Sequence, residues 1–242
     1  MLTIYKKEIR SFLSSLIAYI TMSVFLVVTG LFIWVFPETN LLDYGFATLD
    51  SLFTIAPWVF LLLIPAITMR SFSEERKTGT IELLSTRPIS DLEIILGKFL
   101  AGLSLMLFSL IPTVVYYISI YYLGIENGNI DTGSVIGSYI GLILLGAAFV
   151  SVGIFASAIT DNQIVAFILA IFLCFFSFFG FDSISQLGLF GKIDDIIMNL
   201  GVNAHYESIS RGVLDTRDLI YFLSFTSIFV LITKLVLESR KW

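Results

Sequence analysis

The residues best suited to chemistry in this chain are the charged side chains between positions 70 and 98. The chain is 57% hydrophobic and only 14% charged, yet this block holds five basic and five acidic residues. They are Arg70, Arg76, Lys77, Arg87 and Lys98, and Glu74, Glu75, Glu82, Asp91 and Glu93. A lipid-binding segment would carry an excess of basic residues. The balanced charge favours a surface that docks on another protein, with an ordinary solvated loop as the alternative.

Catalytic and metal-binding interpretations fail on residue spacing. The run Glu74-Glu75-Arg76 is similar to the Glu-Glu-x-x-x-Arg motif of intramembrane prenyl-protein proteases, but Gly79 stands where the arginine should be. A phosphate-binding loop needs Gly-x-x-x-x-Gly-Lys-Ser/Thr, and neither Gly-Lys pair, at 97–98 or 191–192, fits it. His205, the single histidine, has no second metal-ligand pattern nearby. We therefore expect a chain that is not an enzyme and that binds no metal and no cofactor of its own.

Turn and capping residues predict a short helix inside the charged block. Gly79 can end one helical piece, and Thr80 can cap the next, which carries Glu82 and Leu83. The residue before Pro88 is biased away from helix, so the short helix ends there.

A second helix is predicted to begin at the end of the block. Ser90 and Glu93 have the spacing of a capping box, which starts a helix that runs through Lys98 into the next apolar stretch. The segment 70–98 is thus expected to hold a short helix between two turns, suited to insertion into a partner's groove.

Six apolar stretches are long enough to cross a membrane as helices, for which about 20 residues are needed. They cover 15–36, 52–69, 100–123, 135–159, 164–181 and 219–237. Strands of a membrane barrel would be about 10 residues long and alternate strictly, which these stretches do not. With a mean hydropathy of +0.95, the sequence predicts an all-α polytopic membrane protein with one transmembrane domain over residues 1–242.

Two further segments are patterned without being spans. In residues 1–14, apolar residues recur at helical spacing opposite three basic ones, which predicts an N-terminal interfacial helix; they are Leu2, Tyr5, Ile9, Phe12 and Leu13. The stretch 182–218 is expected to form one or two short helices at the outer leaflet before the last span.

The basic residues predict the orientation. With a cytoplasmic N-terminus, 11 of the 14 Lys and Arg residues fall on the cytoplasmic side, and the short outer loops 37–51 and 124–134 contain none. Because cytoplasmic loops are enriched in Lys and Arg, both termini are expected to be cytoplasmic.

The spans contain no ionisable residue other than Lys234, which lies close to a membrane surface. Ion-coupled transporters usually need such a group inside the membrane. This absence counts against a secondary transporter, although ion sites lined by the backbone remain an alternative. Because the chain also lacks a phosphate-binding loop, the energy for any driven process would have to come from a partner.

Prolines and small residues locate bends and close contacts. Pro57, Pro65 and Pro112 each remove a backbone donor and favour a helix bend. The fourth span is rich in small residues, which predict close helix packing within the chain; they are Gly137, Gly141, Gly146, Ala147, Ser151 and Gly153. Cys174, the single cysteine, is expected to be a small apolar side chain.

The run SFSEERKTGTIELLSTRPISDLEIILGKFLAG, which starts at residue 71, resembles the signature of type-2 ABC exporter permeases. The resemblance lies in Glu74 or Glu75, Gly79-Thr80, Glu82-Leu83 and Pro88-Ile89-Ser90. It implies that this segment is the coupling helix that docks on an ATPase subunit. The outer run NAHYESISRGVLDTRDLIYFLSFT and the ending SRKW are similar to gliding-motility permeases.

This resemblance implies the partners. We expect an ABC ATPase subunit that binds ATP and Mg²⁺, a second permease subunit in a homo- or heterodimer, the lipid bilayer of the inner membrane, and no nucleic acid. The function it implies is ATP-driven export, with gliding motility as the setting. A secondary transporter or channel, and a non-transporting scaffold of a motility or secretion machine, remain the alternatives.

Overall fold

The computed structural model describes residues 1–37, 39–41, 48–81, 89–124, 129–188 and 191–239, with all side chains except that of Lys192. Within these ranges the chain forms helices and no strand. The α-helices, numbered along the chain, are α1 (Leu2–Leu13), α2 (Leu16–Trp34), α3 (Asp50–Thr68), α4 (Ser73–Lys77), α5 (Asp91–Leu110), α6 (Val114–Leu123), α7 (Thr132–Ile159), α8 (Gln163–Phe175), α9 (Phe181–Gln186), α10 (Asp194–Met198), α11 (Val202–Ser210) and α12 (Thr216–Glu238).

Six helical stretches are long and apolar enough to cross a membrane. They are Leu16–Trp34, Asp50–Lys77, Asp91–Leu123, Thr132–Ile159, Gln163–Gln186 and Thr216–Glu238. Two of them contain a change of helix type, since Ile111–Thr113 is a 3-10 turn between α5 and α6 and Phe176–Gly180 is a π-helical turn between α8 and α9. The predicted all-α fold with six membrane-spanning helices is confirmed.

Side chains that cap helix starts explain where several of these helices begin. Ser90 and Glu93 form the predicted capping box, in which each side chain binds the backbone N–H of the other residue. The side chains of Asp131, Asn162 and Asp215 accept backbone N–H groups in the first turns of α7, α8 and α12. The hydrogen bond from the Arg217 N–H is the main reason that the pKa of Asp215 lies below its usual value.

α7 is the central helix of the bundle and packs against α3, α5, α8, α11 and α12. Its glycines allow these contacts, because a methyl group on Gly153 would overlap Thr68 of α3 and one on Gly146 would overlap Met106 of α5. The close packing predicted from the small residues of this span is therefore made within the chain. Cys174 of α8 is fully buried, with its Sγ 4.0 Å from the Phe149 carbonyl of α7.

The prolines occupy different settings. Pro57 and Pro65 lie inside α3, which is helical throughout, whereas Pro112 lies in the 3-10 turn that separates α5 from α6. Pro57 has no N–H to offer the carbonyl of Phe53 four residues earlier. The hydroxyl of Tyr206 on α11 donates to that carbonyl at 2.6 Å. Proline thus creates an attachment point for α11; bending at the three prolines stays a prediction.

The two ends of the six-span bundle carry different short helices. One end carries α1, α4 and the first turns of α5, and we refer to it as the Lys98 end. The other carries α9, α10, α11 and the first turn of α12, and we refer to it as the His205 end. The interfacial position predicted for residues 1–14 and 182–218 stays a prediction, although both segments are helical.

Candidate functional site

The Lys98 end contains a buried cluster of charged side chains. Lys98, in the second turn of α5, has a side chain that is only 1% exposed. Its Nζ lies 2.8 Å from Oε1 of Glu8 and 3.0 Å from Oε2 of Glu75, and it donates to the Ser71 carbonyl at 2.5 Å. One lysine therefore joins α1, the start of α4 and α5.

A second lysine completes the cluster at its rim. Lys7 donates to Oε1 of Glu75 at 2.7 Å, and its side chain is about half exposed. Glu8 and Glu75 are both buried. Their two negative charges are balanced by the two ammonium groups of Lys7 and Lys98. Unpaired ions in such a place would each cost several kcal/mol, which explains why the four charges occur together.

The pKa of Lys7 reflects the same contacts. Partial burial lowers this pKa, but the hydrogen bond and charge of Glu75, together with the charge of Glu8, outweigh burial and raise it above its ordinary value. Since the pKa is higher in the folded state, the stabilisation is complete below the ordinary lysine pKa and is lost only as the pH rises above it.

The helix α1 approaches α5 closely at the residue before Lys98. A Cβ on Gly97 would lie 3.1 Å from Ile4 and 3.2 Å from the Met1 carbonyl. Tyr5 adds a hydrogen bond of 3.0 Å to Ser104, two helical turns further along α5. The Gly-Lys pair of the sequence thus has a local explanation, because glycine admits α1 and the lysine binds its Glu8.

The face of α1 that packs on the bundle includes an acidic residue. The buried residues are Ile4, Glu8 and Phe12, one helical turn apart, while Leu2 and Leu13 are exposed. Glu8 can be buried because Lys98 compensates its charge, which the helical pattern of residues 1–14 alone does not reveal.

The first part of the charged segment after the second span is hydrogen-bonded to α7. Arg76 of α4 donates to the Ala158 carbonyl at 2.6 Å, and the Phe72 N–H donates to Ser157 at 3.3 Å. Both acceptors belong to the last turn of α7. α4 ends at the predicted position, where Gly79 has a φ of 70°, a conformation that suits glycine.

The structure separates the two glutamates that the sequence treated as equivalent. Glu74 is half exposed and pairs with Arg70 at 3.0 Å, whereas the carboxylate of Glu75 faces inward to Lys7 and Lys98. Direct contact of Glu75 with a partner chain would require the cluster to open. Glu75 is therefore better suited to position the segment than to touch a partner.

The other candidate coupling residues fall in two groups. Thr80 lies 3.0 Å from the hydroxyl of Thr78 just after the Gly79 turn, and Ser90 caps α5. Glu82, Leu83 and Pro88 lie outside the described residues, as does most of the short helix predicted between them. Their role in coupling stays a prediction.

An apolar groove runs along the membrane side of the bundle between α2, α3 and α8. It encloses about 680 Å³ and is lined by apolar side chains such as Val24, Trp58 and Phe167. Its two threonines bind carbonyls of their own helices, Thr21 that of Ile17 and Thr54 that of Asp50. Apart from the indole N–H of Trp58, the lining consists of apolar side chains and of these two paired threonines, so the groove suits an apolar molecule better than an ion.

His205 is held by protein contacts at the opposite end. Its ring is stacked on Tyr221 and paired with Asp218, and among the described residues no group of three or more potential ligands could hold a metal ion.

The fold and the site define a polytopic helical membrane protein with an anchored, charged segment between its second and third spans. The model of the ABC-2 family transporter proteins matches residues 2–241, so the chain belongs to this family. No curated protein matches the chain. Members of this family are membrane subunits that are not themselves catalytic and normally work with an ABC ATPase in a lipid bilayer.

Proposed function

We propose that this chain is the permease subunit of an ATP-driven ABC exporter and couples ATP hydrolysis by a separate ATPase subunit to substrate movement. The ATPase binds ATP and Mg²⁺ and docks on the segment 70–98. A second permease subunit, identical or different, completes the transporter. Family membership supports the permease role, and the geometry of the Lys98 end supports the coupling role.

The observation that carries this proposal is the anchoring of the segment 70–98. Its entry is tied to α7 through Arg76 and to α1 and α5 through Glu75, and its exit is capped by Ser90. Because the segment is anchored at its entry and at its exit, a force on the residues between these points is transmitted to the second and third spans. A freely solvated loop would move without displacing the spans.

The Lys98 end is proposed to face the cytoplasm of the cell, with the chain in the inner membrane and both termini inside. The support is the distribution of basic residues, 11 of 14 of which fall on that side. An ATPase that uses cytoplasmic ATP then meets the segment 70–98 directly.

The cargo is proposed to be amphipathic or lipid-linked. No ionisable residue lies in the middle of a span, and the groove between α2, α3 and α8 is lined by apolar side chains. Such a surface accommodates acyl chains and excludes hydrated ions.

The physiological setting is proposed to be gliding motility. The support is the similarity of the outer run from Asn203 and of the ending SRKW to the gliding-motility permease GldF. Loss of gliding after deletion of the gene, with recovery by the wild-type gene, is the expected result; normal gliding in the deletion strain would contradict this setting.

The coupling role is tested by purifying the tagged chain with its ABC ATPase and measuring how strongly the permease stimulates ATP hydrolysis in proteoliposomes. Gly79→Val strains the turn after α4, and Glu82→Arg reverses a charge in the short predicted helix. Both variants are expected to remain folded and to lose the stimulation. Glu207→Arg, an exposed charge reversal at the His205 end, is the matched control and is expected to keep it.

Two results would overturn the proposal in favour of a specific alternative. Substrate movement by the chain alone, in liposomes without any ATPase, would identify a secondary transporter or channel. Full cellular function with a hydrolysis-dead ATPase would identify a scaffold. Wild-type stimulation in both coupling variants would contradict the docking segment itself.

A further inference from the structure

The His205 end contains a second tie between helices, built around the single histidine of the chain. The imidazole of His205 on α11 is stacked on the ring of Tyr221 on α12, with ring centres 3.9 Å apart. Its Nδ1 lies 2.6 Å from Oδ1 of Asp218, in the first turn of α12, and its Nε2 lies 3.0 Å from the carbonyl oxygen of Asn199.

When Asp218 is ionised, both ring nitrogens therefore face oxygen atoms that only accept hydrogen bonds. A neutral imidazole has one N–H group and one lone pair, so it can satisfy one of these two contacts and repels the other. The imidazolium ion has two N–H groups and satisfies both. The geometry fits the protonated ring.

The surroundings of Asp218 also favour a proton on His205. Its side chain is only 9% exposed, and His205 is its one ion-pair partner among the residues that the structure describes. A buried carboxylate without a counter-charge is costly. A proton on His205 supplies that charge.

Among the residues that the structure describes, Asp218 is the only side chain in ion-pair contact with the ring. The elements packed around α11 are α3, α7, α12 and the π-helical turn, and their ionisable residues toward this end are Asp50, Tyr139, Arg217, Asp218 and Tyr221. Of these, Asp218 alone lies within ion-pair distance of His205. Glu207 of α11 pairs with Arg211, the residue that follows the helix, and Asp182 of α9 accepts a hydrogen bond from Asn203.

We propose that His205 and Asp218 form a proton-dependent latch between the outer helix α11, the turn at Asn199 and the last span. Protonation of His205 closes the latch and fixes α11 on α12. Loss of the proton as the pH rises breaks the contact with Asn199 and leaves Asp218 without its counter-charge, so the turn and α11 loosen. The latch involves none of the residues proposed to contact the ATPase.

The latch has a favourable test because His205 is the only histidine. The chain, carrying a purification tag without histidine, is labelled with ¹⁵N-histidine and placed in lipid nanodiscs. Nitrogen chemical shifts then report the protonation of one ring between about pH 5.5 and 8.5, the range in which histidine usually titrates. Amide hydrogen exchange of residues 199–221, corrected for intrinsic rates, reports the packing of α11 and α12 in the same samples.

In the wild type, exchange in 199–210 is expected to rise on the order of tenfold as the ring loses its proton, which corresponds to losing one hydrogen bond to a charged group. His205→Gln and Asp218→Asn should lack this step. Glu207→Gln, which removes an exposed ion pair from the same helix, should keep it. The latch would be contradicted if the step persisted in His205→Gln, or if exchange in the wild type stayed constant while the ring lost its proton. If His205→Gln does not fold, the comparison of Asp218→Asn with the wild type provides the same test.

Discussion

Lys98 shows how a cation is kept away from water at the end of a membrane bundle. Its ammonium group meets two carboxylates and a backbone carbonyl, from three different segments. Each contact compensates part of the cost of burying the charge. Removing Lys98 leaves two buried carboxylates with only the half-exposed Lys7 to balance them.

Lys98→Met is expected to destabilise the chain by about 3–5 kcal/mol, the typical cost of breaking a buried ion pair from one side. Thermal unfolding in detergent measures this. Lys234→Met removes an exposed pair with Glu238 and should cost under about 1 kcal/mol. Adding Glu8→Gln and Glu75→Gln to Lys98→Met should recover most of the loss, because no unpaired buried charge remains; equal effects of Lys98→Met and Lys234→Met would contradict the buried cluster.

The hydroxyl of Tyr206 is important because of a proline on another helix. Burial raises the pKa of Tyr206 far above its ordinary value, so this hydroxyl keeps its proton and donates to Phe53 at any pH compatible with the fold. Tyr206→Phe should cost about 1–3 kcal/mol, since the Phe53 carbonyl loses its donor.

A double-mutant cycle isolates that contact. In a Pro57→Ala background residue 57 regains an N–H that can bond to Phe53 within α3, so Tyr206→Phe should then cost less. An identical cost in both backgrounds, measured by thermal unfolding, would show that Tyr206 acts through packing alone.

At the scale of helices, the glycines of α7 set how closely its neighbours approach. A methyl group at Gly153 meets the branched side chain of Thr68, which is stiff, whereas one at Gly146 meets the end of Met106, which is flexible. Gly153→Ala is therefore expected to destabilise by about 1–3 kcal/mol through overpacking.

Gly146→Ala should be close to neutral, because Met106 moves aside and alanine favours helix over glycine by about 1 kcal/mol. The two unfolding midpoints check the order of the effects. A larger loss for Gly146→Ala would mean that the region around Met106 is the more rigid one.

Local signals in the sequence predict these helices well. The six spans follow from long apolar runs, the start of α5 from Ser90 and Glu93, and the end of α4 from Gly79, because each depends on residues close in the chain. The packing face of α1 could not be predicted in the same way. Glu8 is buried only because Lys98, 90 residues later, lies opposite it.

The candidate site, too, could be predicted from the sequence only where it depends on residues close in the chain. The charged block between the second and third spans was visible from its composition, and its family signature lies in consecutive residues. The roles of Glu74 and Glu75 differ only in three dimensions, as one is exposed and the other faces Lys98. The pairing of His205 with Asp218 likewise joins two helices and leaves no periodic pattern in the sequence.

At the scale of the whole molecule, the two ends of the bundle are fixed by different chemistry. The Lys98 end is held by a balanced cluster of buried charges, while the His205 end is held by the contact of His205 with Asp218, a stacked ring and the Tyr206 hydrogen bond. In the proposed transporter the ATPase acts on the first end, and the helices carry that movement toward the second. For this transmission α1, α4 and the start of α5 must move together as one rigid base.

The most direct measurement of this claim is the permease-dependent rate of ATP hydrolysis in proteoliposomes for the variant that combines Lys98→Met, Glu8→Gln and Glu75→Gln. This variant contains no unpaired buried charge and should fold and bind the ATPase. Because the base has lost its ion pairs, we expect stimulation of hydrolysis to fall severalfold below that of the wild type. Wild-type stimulation in a folded, ATPase-bound variant would contradict it.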